Sequence, residues 1–464
     1  MTASTPAAVH PAGPTPQRRT QLLLASTLYG AATLAAALDA GMLAPADRRL
    51  LVVSNTAAVP ETSPSLEEAP GFERLRTRFD AVVSWNETIS PFHPTGWSPR
   101  PDDTPLWERH LRLLWGLGTD EVTIVLESLQ VNPAMALAQM FPGAPLDVYA
   151  DGLMSYGPTR SKLDPLIGTR VRRLLHLDLV PGLKPLLLTE FGVEPEIVPG
   201  EVFAKVLAEL ADAAELPDDA PEGAALLLGQ YLSALGILTP EEEERLHVRM
   251  LRGAVRRGHR TVLFKPHPSA PARWSRLLEE EADRLGAQLT VLDTPVLAET
   301  VYQRLRPALV VACFSTALFT ARAFHGLPVA RSGTEMLLER LTPYQNSNRV
   351  PVTIVDALLP DVDDETPPVP DTGDLNGLLA AVGYSMQPQI LPDLRPAAER
   401  YLAAHLTPRT RRYFKRRRLT SLGLPGAVPS SLSFLPRNPT LRRMARRARA
   451  VKRRLTKKTA VPSS

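Results

Sequence analysis

Three short clusters of reactive side chains sit where apolar runs of four or five residues end. Tyr149-Ala150-Asp151-Gly152 closes the run Leu146–Ala150, Lys265-Pro266-His267-Pro268 follows Thr261–Phe264, and Phe314-Ser315-Thr316 follows Leu309–Cys313. A carboxylate leaving a strand just before a glycine can point into a cleft and serve as a general base once desolvation moves its pKa toward working pH. An imidazole flanked by prolines is held by a stiff backbone and can offer a hydrogen bond or a proton to a departing phosphate. Two hydroxyls and free N–H groups at the start of a helix make an anion site. Each cluster also has a plain reading. Asp151-Gly152 can be an ordinary turn, His267 a loop histidine packed on proline, and Ser315-Thr316 an N-cap. The His-Pro dipeptide occurs a second time at His93-Pro94, so by itself it says little.

The elements that must position these groups follow from the hydrophobic pattern. Residues 1–18 are rich in Pro, Ala and Thr and read as a disordered leader. Beyond them, the runs Gln21–Ala25, Leu50–Ser54, Ala81–Ser84, Val122–Leu126 and Leu146–Ala150 suit parallel strands buried on both faces. Helical segments alternate with them, such as Leu106–Trp115 and Pro133–Met140, where Asn132 is the expected cap and Pro133 the first helical residue. The acidic, Pro-rich stretch 212–223 reads as a linker between a first domain, 19–211, and a second, 224–406. Alternation then restarts with Ala224–Leu228 and a helix opened by Thr239, Pro240 and a capping-box Glu242. Thr261–Phe264, Gln288–Leu292, Leu309–Cys313 and Leu327–Ala330 are the remaining strands. The expected fold is therefore α/β, with two Rossmann-like domains facing a central cleft in the manner called GT-B. From pattern alone, such a cleft suits a glycosyltransferase, a kinase-like enzyme or an epimerase-like enzyme. Ligands in these sheets bind beyond the carboxyl ends of the strands, where all three clusters fall.

Composition narrows the chemistry. One cysteine in 464 residues, Cys313, excludes an internal disulfide, a cysteine-based zinc site and an iron–sulfur cluster, and suits a reducing compartment. No GxGxxG, Walker A, HExxH or DxD-like pair stands in an expected place. That argues against NAD enzymes, P-loop NTPases, metalloproteases and metal-dependent glycosyltransferases. Arg18-Arg19 before Leu22-Leu23-Leu24 superficially resembles an export signal, yet polar residues dilute the run and it reads better as a strand followed by a helix. No stretch approaches the roughly 18 apolar residues of a membrane span. Residues 407–464 carry 18 Lys and Arg and no Asp or Glu, which leaves 35 basic and 49 acidic residues in the body. An acidic body with a basic tail is expected. The blocks Lys415–Arg418 and Arg442–Lys458 suit an anionic membrane surface, a solvated tail or a nucleic-acid arm.

Asp151-Gly152, His267-Pro268 and Ser315-Thr316, in that order, resemble the acidic-Gly, His-Pro and Ser/Thr motifs of the bacterial α-2,8-polysialyltransferases, over roughly residues 19–405. The resemblance implies a GT-B enzyme that moves sialic acid from CMP-sialic acid to a glycan hydroxyl with inversion and without a metal. By motif, Asp151 would be the base, while His267 would bind the donor phosphate and assist its departure. Lys265, Pro268, Ser315 and Thr316 would line the phosphate site, and Glu299 would bind the ribose. Glu299 reads equally as a solvated helix residue. One position departs from the pattern: Ala150 stands where the family often has a further carboxylate. The resemblance also implies a cytoplasmic enzyme of surface-polysaccharide synthesis, peripheral on the inner face of the membrane. Two alternatives stay open: a GT-B enzyme using another nucleotide-activated sugar, and a non-catalytic protein that binds nucleotide or nucleic acid.

Overall fold

The computed structural model describes residues 17–127, 129–267, 274–364 and 372–427. Seven strands form a first sheet: β1 (Arg19–Ala25), β2 (Arg48–Val53), β3 (Ala81–Ser84), β4 (Glu121–Glu127), β5 (Leu146–Ala150), β6 (Val171–Leu177) and β7 (Pro195–Val198). Five more form a second: β8 (Ala225–Leu228), β9 (Thr261–Lys265), β10 (Gln288–Val291), β11 (Leu309–Ala312) and β12 (Val329–Arg331). Every pairing is parallel, in the orders β3-β2-β1-β4-β5-β6-β7 and β10-β9-β8-β11-β12. This is the α/β, GT-B-like pair of Rossmann-like sheets that the alternation predicts. Both sheets belong to one compact unit that runs to Ala398, and Glu399 begins a second.

Helices cover both faces of the sheets, so the central strands are apolar throughout: Leu22 to Ala25, Leu50 to Val53, and Ala225 to Leu227 are all nearly inaccessible. The order reverses between β1 and β4 in one sheet and between β8 and β11 in the other. At such a reversal the flanking helices lie on opposite faces, and a crevice opens at the carboxyl ends.

Two strands lie beyond the sequence reading. Arg172, Arg173 and His176 interrupt the apolar run of β6, and β7 is a four-residue edge strand beginning at a proline. Asp147, inside β5 and almost fully buried, explains one of those arginines: Arg172 clamps it with two hydrogen bonds of 3.0 and 2.9 Å. The helix expected from Pro133 begins instead at Ala134, with Pro133 in the cap position. Asn132 therefore lies one residue before the cap, and its amide donates to the Ser98 hydroxyl at 2.8 Å. The helix expected over Leu106–Trp115 runs from Thr104 to Leu114. By contrast, Thr239 and Glu242 form the full capping box before the helix Pro240–Arg256. The stretch that reads as a linker lies between the helix Gly200–Ala213 and β8.

In the second unit the helix Arg416–Leu422, preceded by Lys415, stops at Gly423, whose φ of 66° takes the chain into a left-handed turn. The block Arg442–Lys458 and the leader up to residue 16 lie outside the described residues. Among the described residues no helix is long and apolar enough to cross a membrane.

Candidate active site

The first cluster is built at the reversal of the seven-stranded sheet. Strand β5 is buried along its length, so Asp151 emerges at its carboxyl end beside the ends of β1 and β4. Glu127, the last residue of β4, pairs in register with Tyr149. Its Oε2 accepts hydrogen bonds from the Ser26 backbone N–H (2.9 Å) and hydroxyl (2.6 Å), both just past β1. The Tyr149 hydroxyl donates to the Leu24 carbonyl at 3.0 Å. The helix Leu28–Asp39, capped by Thr27, then brings Gly30 against this group. A Cβ on Gly30 would lie 2.9 Å from the Tyr149 hydroxyl and 3.5 Å from Asp151 Oδ2. Only glycine leaves room there. Loss of solvent, and next the charge of Glu127, push the Asp151 carboxyl up to about 7.

The second cluster leaves β9. Gly229, just past β8, donates its N–H to the Lys265 carbonyl at 2.9 Å. A side chain there would press within 3.2 Å of Pro266 Cα and 3.4 Å of the His267 nitrogen. Lys265 is buried, and its ammonium donates to the Thr294 carbonyl at 3.3 Å. Burial pulls this ammonium down to about 8, against the opposing pull of Glu299 and Asp293. His267 is exposed, with the Tyr231 ring 6.2 Å from its own. Partial shielding from solvent, and then the Lys265 charge, lower its pKa below the ordinary histidine value. Pro268 lies outside the described residues.

The third cluster precedes the helix Ala317–His325, with Thr316 in the cap position. Gln230 accepts the Phe314 N–H at 2.8 Å, and the Ser315 hydroxyl accepts the Ala317 N–H at 3.2 Å, so part of the N-cap reading is realised. Among the described residues the backbone N–H groups of Ser315 and Thr316 make no hydrogen bond. Thr316 Oγ1 accepts the Leu153 N–H at 3.3 Å, and a Cβ on Gly152 would lie 2.9 Å from that oxygen. The first and third clusters, far apart in sequence and on different sheets, therefore touch.

Glu299 is not a solvated helix residue. It is only 4 % exposed, in the first turn of the helix Ala298–Leu305, and accepts a 2.7 Å hydrogen bond from the Thr320 hydroxyl. Burial raises its carboxyl, and the Lys265 charge partly offsets this. Tyr29, one turn before Thr33, feels both Glu299 and Asp151, and burial together with those charges puts its phenol well above the ordinary range. The Tyr29 hydroxyl has no hydrogen-bond partner among the described residues.

Sequence reasoning passed over Ser26, Tyr29, Glu127, Gln230 and Tyr231. The rule that found the other clusters, polar residues just past an apolar run, also selects Ser26, Glu127 and Gln230. A cavity of about 800 Å³ lies elsewhere on the same sheet edge, past β2 and β3, lined by Asn55, Ser84, Asn86, Glu87, Phe92 and His93. It holds none of the three clusters. His93 there is tied to the Ala57 carbonyl at 2.9 Å.

This arrangement sets a carboxyl that ionises near neutrality against a buried cation, a histidine and free N–H groups at a helix start. A carboxylate of that kind can take a proton from a hydroxyl, while the opposing groups suit a phosphate.

The chain is similar in fold to a sialyltransferase of Photobacterium damselae, residues 113–497 corresponding to its GT-B domain. That match has 12% identity and a TM-score of 0.39, and it covers 72% of this chain and 96% of that one. It is likewise similar to Staphylococcus aureus MnaA solved with UDP, at 11% identity and a TM-score of 0.40, covering 80% and 97%. No curated protein matches the chain by sequence. The sequence profile described as Alpha-2,8-polysialyltransferase (POLYST) matches residues 21–334. That span is shorter at its far end than the resemblance suggests, yet it covers more than half the chain and takes in all three clusters. This protein belongs to the alpha-2,8-polysialyltransferase family and is a glycosyltransferase of the sialyltransferase type.

Proposed function

We propose that this protein transfers sialic acid from CMP-sialic acid to a hydroxyl of a sialylated glycan, forming α-2,8 linkages with inversion. The observation that carries this reading is the contact between the Asp151-Gly152 turn and Thr316, which brings a carboxylate from one sheet and an anion site from the other to a single crevice. Asp151, ionised at and above about pH 7, takes the proton of the acceptor hydroxyl as it attacks the anomeric carbon. CMP leaves from the opposite side. An inverting displacement of a good leaving group requires one base and stabilisation of the departing phosphate.

That stabilisation falls to three groups. Lys265, titrating near 8, supplies the positive charge. His267, whose imidazolium is disfavoured, serves as a neutral N–H donor rather than a strong acid. The Ser315 and Thr316 N–H groups, at the start of a helix, complete the cradle. Glu299, held through one oxygen by Thr320, is assigned to the ribose hydroxyls. In this scheme no divalent metal is needed. The enzyme would work in the cytoplasm, with the basic tail resting on the inner face of the membrane.

The test is nucleotide release from CMP-sialic acid, compared with UDP- and GDP-sugars, using a sialylated oligosaccharide as acceptor. CMP release and a product cleaved by an α-2,8-specific sialidase are expected. Preferential UDP or GDP release would shift the protein to another nucleotide-sugar donor. Binding of CMP without turnover of any donor would leave a nucleotide-binding protein.

A further inference from the structure

Asp151 does not stand alone at its strand end. Glu127 closes the neighbouring strand β4 and lies in register with Tyr149, two residues before Asp151. It is an unusual carboxylate. Among the described residues no Lys or Arg pairs with it, and its only hydrogen bonds come from the Ser26 N–H and hydroxyl, at 2.9 and 2.6 Å to one oxygen. A partly buried carboxylate without a cation carries a desolvation cost that its hydrogen-bond donors must offset. Two short donors from a strand end, one a backbone N–H, are what such a group requires to keep its charge.

The surroundings of the pair are complete enough to name. Ser26 faces Glu127 from the end of β1. Tyr149 lies beside it on β5 with its proton turned to Leu24. Tyr29 approaches Asp151 from the following helix, and Gly30 on that helix permits the close packing. Glu299 acts on Tyr29 as well, through its charge. Tyr29, Tyr149 and Glu299 are thus the acids around the pair, Lys265 acts on Glu299 from the other sheet, and among the described residues no Lys or Arg forms an ion pair with Glu127 or Asp151.

We propose that Glu127 is a positioning residue for Asp151: clamped by Ser26, it sets a second negative group beside the Asp151 carboxyl in a partly buried crevice and so governs when Asp151 holds its proton. This rests on the reading of Asp151 as the base. Burial raises the Glu127 carboxyl and the two Ser26 donors oppose that rise, so that its charge is available to hold the proton on Asp151 to higher pH. The carboxylate finally released is a stronger base. The carboxyl pair is thus assembled from two strands, although Ala150 supplies none within the turn itself.

The experiment is a pH–rate profile of kcat/KM for the full-length enzyme, wild type and variants. Glu127→Gln keeps the shape, and its neutral amide removes the charge. Its acid limb should move to lower pH by about one unit or more, the usual effect of losing a like charge, and its plateau should fall several-fold because the base is weaker. Glu127→Asp restores the charge and should move the limb back toward wild type. Asp151→Asn separates the two ideas. If that variant stays active, the base reading fails. If it is dead while the Glu127→Gln limb coincides with wild type, the base reading stands and Glu127 has no such role. Should Glu127→Gln fold without turnover, the ¹³C carboxyl titration of Asp151, identified by its loss in Asp151→Asn, replaces the rate. An unmoved titration overturns the proposal. Should it not fold, Ser26→Ala takes its place: with a donor gone Glu127 charges less readily, and the limb should move the same way by less. A stationary limb in Ser26→Ala would overturn the proposal equally.

Discussion

At Asp151 stability and chemistry pull in opposite directions. Its folded carboxyl titrates at about 7, against about 4 for an exposed aspartate, so the folded state binds the proton more tightly than the unfolded chain. Stability from this group is full below about pH 4 and is lost as pH rises through about 7. Asp151→Asn should therefore abolish transfer yet raise the melting temperature at pH 8, with the gain fading toward pH 4 in a thermal-shift series. A gain independent of pH would contradict the assignment. At His267 the expected cost is in rate. His267→Ala should lower kcat by about 10²–10³, the usual loss for one donor to developing charge, with a smaller change in CMP affinity. His93→Ala is the control, because His93 lies in a separate cavity and bonds to a loop carbonyl. Turnover above half of wild type in His267→Ala would remove that residue from the leaving-group role.

At the scale of elements, the site depends on close approach. Replacing a helix glycine by alanine ordinarily stabilises by roughly 0.5–1 kcal/mol. At Gly30 that gain meets a contact of 2.9 Å with the Tyr149 hydroxyl, whose buried hydrogen bond to Leu24 must shift to relieve it. Gly30→Ala should lower kcat several-fold without raising the melting temperature. A stabilised variant with wild-type turnover would show that the helix can move away from Asp151 at no cost.

For the whole molecule, charge separates along the chain. The 18 basic residues of 407–464 follow a body with 35 basic and 49 acidic residues, so the body itself is repelled from anionic lipid. Each Lys or Arg near such a surface contributes about 1 kcal/mol. Removing residues 428–464 should release the protein from phosphatidylserine vesicles while leaving transfer to a soluble acceptor intact, and high salt should mimic the deletion. A full-length protein that never sediments with those vesicles at physiological salt would end the membrane role. Activity should also survive EDTA, since Lys265 and backbone N–H groups are assigned the work at the phosphate. A strict Mn²⁺ or Mg²⁺ requirement would reassign that work.

The alternation of short apolar runs with amphipathic helices was enough to reveal two parallel sheets, because strands buried on both faces must be apolar throughout. The same logic located Asp151, His267 and Ser315-Thr316, which lie directly past such runs. Strand β6 escaped because Arg172 reaches back to a buried Asp147, a pairing between strands that no local window contains. The order of strands was equally hidden. Only when β4 lies between β1 and β5 does Glu127 meet Ser26 on one side and Asp151 on the other. Local pattern tells where a chain extends or coils, whereas a pKa or a shared crevice depends on which ends pack together. Tertiary structure alone therefore decided that Glu299 is buried, that Gly152 touches Thr316, and that Asp151 ionises near neutrality.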